Sequence, residues 1–425
     1  MALTAPETLV PPAPSEQKSR SNGGVFIPNM RLPVHRWFRY SAGFSAAWAE
    51  ARIESESRAE DLVVLDPFVG SGTTLIAAQM QDVNSIGFET HPLVRRICQA
   101  KLAWDVDPEE FQRRATLVLE QAVSRAWTNP PALLAKIYHP STLAALVGLR
   151  DAVESHREGD RTDALLWLAL LAILRPCSPA GTAQWQYVLP NKSKRKVAEP
   201  IPAFTAQVGL MAQDMKDMPR SSAAVKLASV DARTAKGVED GSVDLVVTSP
   251  PYPNNYDYAD ATRIEMTFLG EIERWGDLQS QVRTHLMRSC SQHMSGYDPS
   301  EALEAPELEP IRSELLGVYE RLAREREGRG GRKAYHAMIA AYFHDLSRTW
   351  IALRRVCRPG ATAHFVVGDS APYGVHVPVE RWLGELALEA GFSDWSFEKL
   401  RDRNTKWKNR KHRVPLHEGV LTVRG

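Results

Sequence analysis

Hydrophobic positions along this chain fall into two patterns. Short β-branched and apolar runs recur at Leu62–Leu65, Ser85–Glu89, Val225–Asp231, Val243–Thr248 and Ala363–Asp369, with later runs at Trp395–Leu400 and Gly419–Val423. Runs of this length bounded by turn residues predict buried strands. Leu75–Met80, entered through a glycine-containing turn, reads as the helix between the first two. Strand, Gly-rich turn, helix, strand is half of a doubly wound parallel sheet, so the predicted class is α/β. Tyr335–Val356 reads as a long helix stopped by Arg358-Pro359-Gly360, and Val379–Ala390 as one ended by Gly391.

Between about Pro92 and Pro219 the spacing becomes helical, at Leu117–Ala126, Leu143–Val153 and Ala164–Leu174. The expected organisation is therefore a core built from 25–104 and 221–424, interrupted by a helical insertion at 105–220. That insertion is broken by Arg175–Gly181 and by a basic run at Lys192–Lys196. A second insertion, 259–334, holds an acidic stretch (Glu301, Glu304, Glu307, Glu309) and then a mixed-charge helix. Residues 1–24, rich in Pro, Ser and Gly, read as a disordered tail.

Composition narrows the function. A chain of 425 residues with 44% apolar content can bury a sizeable core. Its formal net charge is +1, so contact with nucleic acid has to come from local patches. Two are candidates: Lys192, Lys194, Arg195 and Lys196, and a later cluster with Arg403, Lys406, Lys408 and Arg410 around Trp407. Cys98, Cys177, Cys290 and Cys357 form no Cys-x-x-Cys pair, which speaks against a disulfide framework and a zinc site and for a reducing cytoplasm. No metal site is read from the sequence. The N-terminus lacks the pattern of a signal peptide, and the longest apolar run is too short to cross a bilayer, which takes ~20 residues.

The chemistry sits at strand ends. Asp66-Pro67-Phe68-Val69-Gly70-Ser71-Gly72-Thr73-Thr74 follows the first strand. Thr73 stands where a phosphate-binding loop has Lys, and Gly-x-Gly-x-x-Gly is absent, so the turn is not a phosphate cradle. Asp66 places an anion there for a ligand's ammonium, Glu89 can accept two ribose hydroxyls, and Asp231 can accept from an adenine amino group. Val243–Thr248 runs into Ser249-Pro250-Pro251-Tyr252, a proline-stiffened turn presenting a hydroxyl, carbonyls and an aromatic face. That combination suits the grip of a flat, amino-bearing heterocycle.

The two motifs together resemble the DNA amino-methyltransferase family, over roughly 30–104, 225–258 and 335–424. The resemblance implies a Rossmann-like methyltransferase core with a mainly parallel sheet and S-adenosylmethionine as cofactor. Asp66, Phe68, Gly70 and Gly72, with Pro67, Thr73 and Thr74 in the same loop, would then line the methionine side. Glu89 would hold the ribose and Asp231 the adenine. Tyr40 and Phe44, in a segment similar to the family's N-terminal cofactor segment, would pack on the cofactor. That segment departs from the common form at Gly43, where a Lys is frequent.

In that family Ser at the position of Ser249 leans toward cytosine N4. Ser249 and the Pro250 carbonyl would accept the two amine hydrogens of a flipped base, with Pro251 stiffening the turn and Tyr252 stacking on the base. The reading is a site-specific DNA cytosine-N4 methyltransferase of the modification or defence kind. N6-adenine and RNA base methylation stand as alternatives, and a nucleic-acid-binding protein with a degenerate core as a third. Double-stranded DNA is the expected partner, read by 105–220; a cognate restriction nuclease and a homodimer stay open.

Overall fold

A computed structural model describes residues 27–56, 61–183, 186–194, 196–330, 333–403 and 414–425. The predicted tail lies outside them. Nine strands are present among the described residues: β1 (Val63–Asp66), β2 (Asn84–Phe88), β3 (Ala180–Thr182), β4 (Val188–Ser193), β5 (Val225–Ala228), β6 (Val243–Thr248), β7 (Cys357–Gly368), β8 (Asp394–Arg403) and β9 (Leu416–Arg424). Seven form one sheet in the order β5-β2-β1-β6-β7-β9-β8. All neighbouring pairs from β5 to β7 are parallel, and β9 runs antiparallel to both β7 and β8. With helices around this mostly parallel sheet, the chain has a Rossmann-like methyltransferase fold.

Residue choice explains the central strands. Val64, Leu65, Val246 and Val247 are fully buried, and a strand covered on both faces needs such a continuous apolar run. The helix Thr73–Met80 lies close against β2 because Gly87 has no side chain. A Cβ at Gly87 would sit 2.4 Å from Val69 Cγ2 and 2.7 Å from Leu75 Cδ1. The order reverses at β1, which has β2 on one side and β6 on the other. In open α/β sheets the crevice at such a switch point is where ligands bind.

Several boundaries differ from the sequence-based expectation. The helix expected at Leu117–Ala126 spans Pro108–Gln121, started by Pro108 and by the Asp107 carboxylate accepting from the Glu109 N–H. The strand expected to end in Asp231 stops at Ala228; Asp231 instead closes a turn, accepting from the Arg233 N–H at 2.9 Å. The basic run Lys192–Lys196 only begins on a strand: Lys192 lies on β4, the second strand of the β3–β4 hairpin, while Lys194 and Lys196 follow its end.

The helices of 108–217 do not form a separate core. Their apolar faces join Trp37, Phe38, Val69, Leu75 and Ile97 in one buried cluster, which also takes in Ile264, Phe268 and Leu278. A second cluster packs the long helix Tyr335–Val356 against β7, with Leu308, Leu315 and Leu322 from the second insertion. Among the described residues no helix is long and apolar enough to cross a membrane.

Asp214, fully buried on the helix Pro200–Asp217, fixes the N-terminal segment to the helical region. It accepts from the Val34 N–H at 3.2 Å, from Trp37 Nε1 at 2.8 Å, and from the Arg36 guanidinium. Replacing it strands a half-buried guanidinium and two further donors. Asp214→Ala is expected to cost about 3 kcal/mol of stability, read as a lower midpoint in urea denaturation.

Candidate active site

The sequence from β1 to the helix Thr73–Met80 is built around positive-φ glycines. Gly70 has φ 53° and Gly72 φ 98°, a region where only glycine rests without strain. A Cβ on Gly70 would meet Tyr40 Cε1 at 3.1 Å, and one on Gly72 would meet Cys98 Sγ at 2.8 Å. The loop therefore lies flat against Tyr40 on one side and a buried cysteine on the other. The segment carrying Tyr40 is held from below by Lys101, fully buried, whose Nζ donates to the carbonyls of His35 at 3.1 Å and Phe38 at 3.4 Å. Burial brings this ammonium down to about 7.

A cleft of about 730 Å³ opens at the carboxyl ends of the strands. Its wall includes Tyr40, Pro67, Phe68, Gly70, Glu89 and Asp231, and also Ser249 and Pro251. The proposed cofactor loop and the Ser-Pro-Pro-Tyr turn thus open on one space. Phe44, Asp66, Gly72, Thr73, Thr74, Pro250 and Tyr252 do not line it. Phe44 is buried beside Ala49 and Val64 and packs edge-on against Trp48 at 5.8 Å. Thr74 donates to the Val247 carbonyl at 2.9 Å, pinning its helix to β6.

Asp66 is fully buried behind the wall. Its Oδ1 accepts from the Phe68 N–H at 2.9 Å and from the Thr248 hydroxyl at 2.5 Å. Burial pushes its carboxyl up to about 6, against the opposing pull of its hydrogen bonds with Thr248 and Phe68. Glu89, half-buried on the wall, accepts from the Gly70 N–H at 2.9 Å and from the His91 N–H at 2.7 Å. Loss of water pushes it up to about 7, the charge of Asp66 adding to the effect and the two N–H groups opposing it. Asp231 is clamped by the Arg233 guanidinium, whose Nε lies 2.9 Å from both carboxylate oxygens, while Arg233 Nη1 reaches Asp345 at 2.9 Å.

The Ser-Pro-Pro-Tyr turn is tied to β7. The Ser249 hydroxyl donates to the Val366 carbonyl at 3.1 Å, and because its one hydrogen is used there, its lone pairs are left as acceptors. Tyr252 stands beside the wall rather than in it. The Arg403 guanidinium lies over its ring at 5.0 Å, and burial raises its phenol above the usual range. Arg403, expected as a phosphate contact, is therefore turned inward. Lys192 and Lys196 are exposed, whereas Lys194 donates to the Arg175 carbonyl at 2.6 Å. Arg195, Lys406, Trp407, Lys408 and Arg410 lie outside the described residues.

Sequence reasoning missed three contributors. His285, Leu286 and Met287, from the second insertion, complete the cleft wall. Arg175 binds Glu265 through Nε at 2.5 Å and Nη2 at 2.9 Å, and donates to the carbonyls of Gln186 and Ala261. The β3–β4 turn then grips both halves of the site. Gln186 accepts from the Ser41 N–H at 2.8 Å and donates to the Arg39 carbonyl at 2.7 Å, while the Tyr187 hydroxyl accepts from the Asp257 N–H at 2.7 Å. The polar aromatics of that stretch were the available signal.

Known proteins resemble this chain in part or along most of its length. A family model described as DNA methylase matches residues 10–100, a stretch that includes the Asp66–Gly72 loop and Glu89 and ends before Ser249. The chain is similar to the Type II methyltransferase M.BsoBI of Geobacillus stearothermophilus, 26% identical over 418 residues, covering 88% of this chain and 82% of that protein. It is also similar to the Type II methyltransferase M.AvaI of Nostoc sp. (strain PCC 7120), 25% identical over 401 residues, covering 87% and 81%. The family model is described as DNA methylase and both relatives as Type II methyltransferases, and these descriptions do not separate an N4 from an N6 specificity.

Glu89 gives a pH signature of the empty cleft. Its folded value, about 7, lies above the ordinary 4.5, so the folded chain holds a proton that the unfolded chain has lost between those values. Its contribution is thus fully present below about pH 4.5 and lost as pH rises through 7; Asp66 acts in the same direction. Glu89→Gln should narrow the stability difference between pH 5 and pH 8 by on the order of 2 kcal/mol, measured by urea denaturation at the two pH values.

Proposed function

We propose that this protein transfers a methyl group from S-adenosylmethionine to the exocyclic N4 of a flipped cytosine in double-stranded DNA. One observation carries the reading: Ser249 and Pro251 share a single cleft wall with Tyr40, Phe68, Gly70, Glu89 and Asp231. An amine-gripping turn and a nucleoside-shaped set of acids therefore face one another across one space. The relatives' printed description, Type II methyltransferase, and the DNA methylase family match support a site-specific DNA methyltransferase.

The residues fit the cofactor by their donor and acceptor chemistry. Glu89 would accept the ribose hydroxyls while Gly70 and His91 hold its carboxylate in place, and Asp231 would accept from the adenine amine. When bound, S-adenosylmethionine supplies a methyl group activated by its sulfonium. Asp66, behind the wall, acts through the shape of its loop. Tyr40 and Phe68 close apolar surface over the site.

At the target, the amine of cytosine is a poor nucleophile because its lone pair is delocalised into the ring. Ser249, with its own hydrogen committed to Val366, accepts one amine hydrogen, and the Pro250 carbonyl accepts the other. Acceptors fixed in advance pull the nitrogen toward tetrahedral geometry without reorganising during the reaction. The amine lies buried in a stacked duplex, so the base has to leave the helix, and Tyr252 is the platform for it. Lys192 and Lys196, exposed on and beside the β3–β4 hairpin, would supply phosphate contacts. The helical region 105–220 is the recognition element in this reading, with a cognate nuclease as partner.

Incubation with plasmid and labelled S-adenosylmethionine, followed by mass spectrometry of the digested nucleosides, tests the reading. N4-methylcytosine is the expected product; N6-methyladenine would move the assignment to the other base, and no labelled nucleoside would remove it. Ser249→Ala should lower kcat by about a hundredfold or more while the calorimetric affinity for the cofactor holds.

A further inference from the structure

Arg403 does not behave as a surface cation. Its Nη1 donates to the Asp369 carbonyl at 2.9 Å, and its guanidinium covers a face of the Tyr252 ring at 5.0 Å. The seat is prepared for it. Gly368, the last residue of β7, has no side chain, and a Cβ there would lie 2.6 Å from Arg403 Nη1 and 3.3 Å from its Cδ. The carbonyl that takes the guanidinium is itself immobilised. Asp369 is buried, its Oδ1 accepting from the His417 N–H at 2.7 Å and its Oδ2 lying 2.9 Å from His376 Nε2.

The other end of Tyr252 is fixed as well. The Glu418 carboxylate, 3% exposed on β9, lies near enough for its charge to add to burial in raising the Tyr252 phenol, and Glu418 is in turn paired with Arg401 Nε at 3.0 Å. Arg403 Nε lies 3.8 Å from the same carboxylate, an ion pair without a hydrogen bond, so Arg401 and Arg403 balance Glu418 together. The Arg403 fork at the same time serves the Asp369 carbonyl and the tyrosine ring.

We propose that Arg403 and Glu418 form a clamp that holds Tyr252 as a rigid stacking platform, making Arg403 a positioning residue rather than a phosphate contact. The inference rests on the methyl-transfer reading for its consequence, but its geometry stands apart from it. A tyrosine free to rotate would have to be ordered each time a base arrives. A cation over one face and a carboxylate near the hydroxyl remove that freedom beforehand, and the base would take the ring's other face. Arg, not Lys, suits the seat, because a planar fork can donate to a carbonyl and lie flat on a ring at once.

The test uses the full chain labelled with 3-fluorotyrosine, the Tyr252 resonance being assigned by its loss in Tyr252→Phe. In Arg403→Ala the Tyr252 fluorine signal should shift and broaden. kcat on plasmid should fall about ten- to hundredfold, with the KM for S-adenosylmethionine within about twofold and an unchanged dependence of DNA affinity on salt. Arg403→Lys should recover part of the rate. Gly368→Ala, which crowds the guanidinium without removing its charge, should act in the same direction. Thermal melting and calorimetric binding of S-adenosylhomocysteine establish that each variant is folded.

An unmoved fluorine signal in Arg403→Ala overturns the clamp, and so does an unchanged kcat. Lost DNA affinity with a shallower salt dependence and an intact kcat would make Arg403 a phosphate contact after all. If the wild type transfers no methyl group to DNA, the functional reading falls, and the fluorine signal still decides whether Arg403 orders Tyr252.

Discussion

One buried carboxylate sets the spacing of the site. Asp66 ends β1 and Thr248 ends β6, and the hydrogen bond between them joins the two strands at the point where the sheet order reverses. The loop after β1 carries Phe68 and Gly70; the turn after β6 carries Ser249 and Pro251. Because the same Asp66 oxygen also takes the Phe68 N–H, loop and turn are registered to one atom. A neutral or shorter side chain there would loosen both banks of the cleft together. The raised affinity of Asp66 for a proton is the cost of this burial.

A second tie comes from outside the sheet. Gln186 holds the backbone on both sides of Tyr40, and Tyr187 holds the start of the short helix that carries Tyr258. Both Tyr40 and Tyr258 stand on the cleft wall. Arg175 anchors this arrangement by joining Gln186 to Glu265 and Ala261. The helical region is therefore bound into the site by a network of buried polar contacts, and the exposed lysines of the hairpin sit at its outer end.

How much of this was legible in the sequence follows from what each element buries. β1, β6 and the central part of β7 are covered on both faces, so they read as unbroken apolar runs, and β6 and the helix Tyr335–Val356 were found at their observed bounds. The β3–β4 hairpin could not be read this way: β3 is Ala-Gly-Thr, and β4 carries exposed Leu189, Asn191 and Lys192. The wall at His285–Met287 escaped for a related reason, being set in short turns with no period. The inward course of Arg403 was hidden because a cation that covers a ring and one that meets solvent look alike in a sequence.

The residues that hold Tyr252 both come from the paired strands β8 and β9, whereas no residue of that pair lines the cleft. Strand pairs at the rim of a sheet can open locally without the whole chain unfolding. A molecule whose β8–β9 pair has come away would keep its place for a nucleoside and lose its grip on a base. Ligand capture and chemistry would then fail at different temperatures, the second before the first.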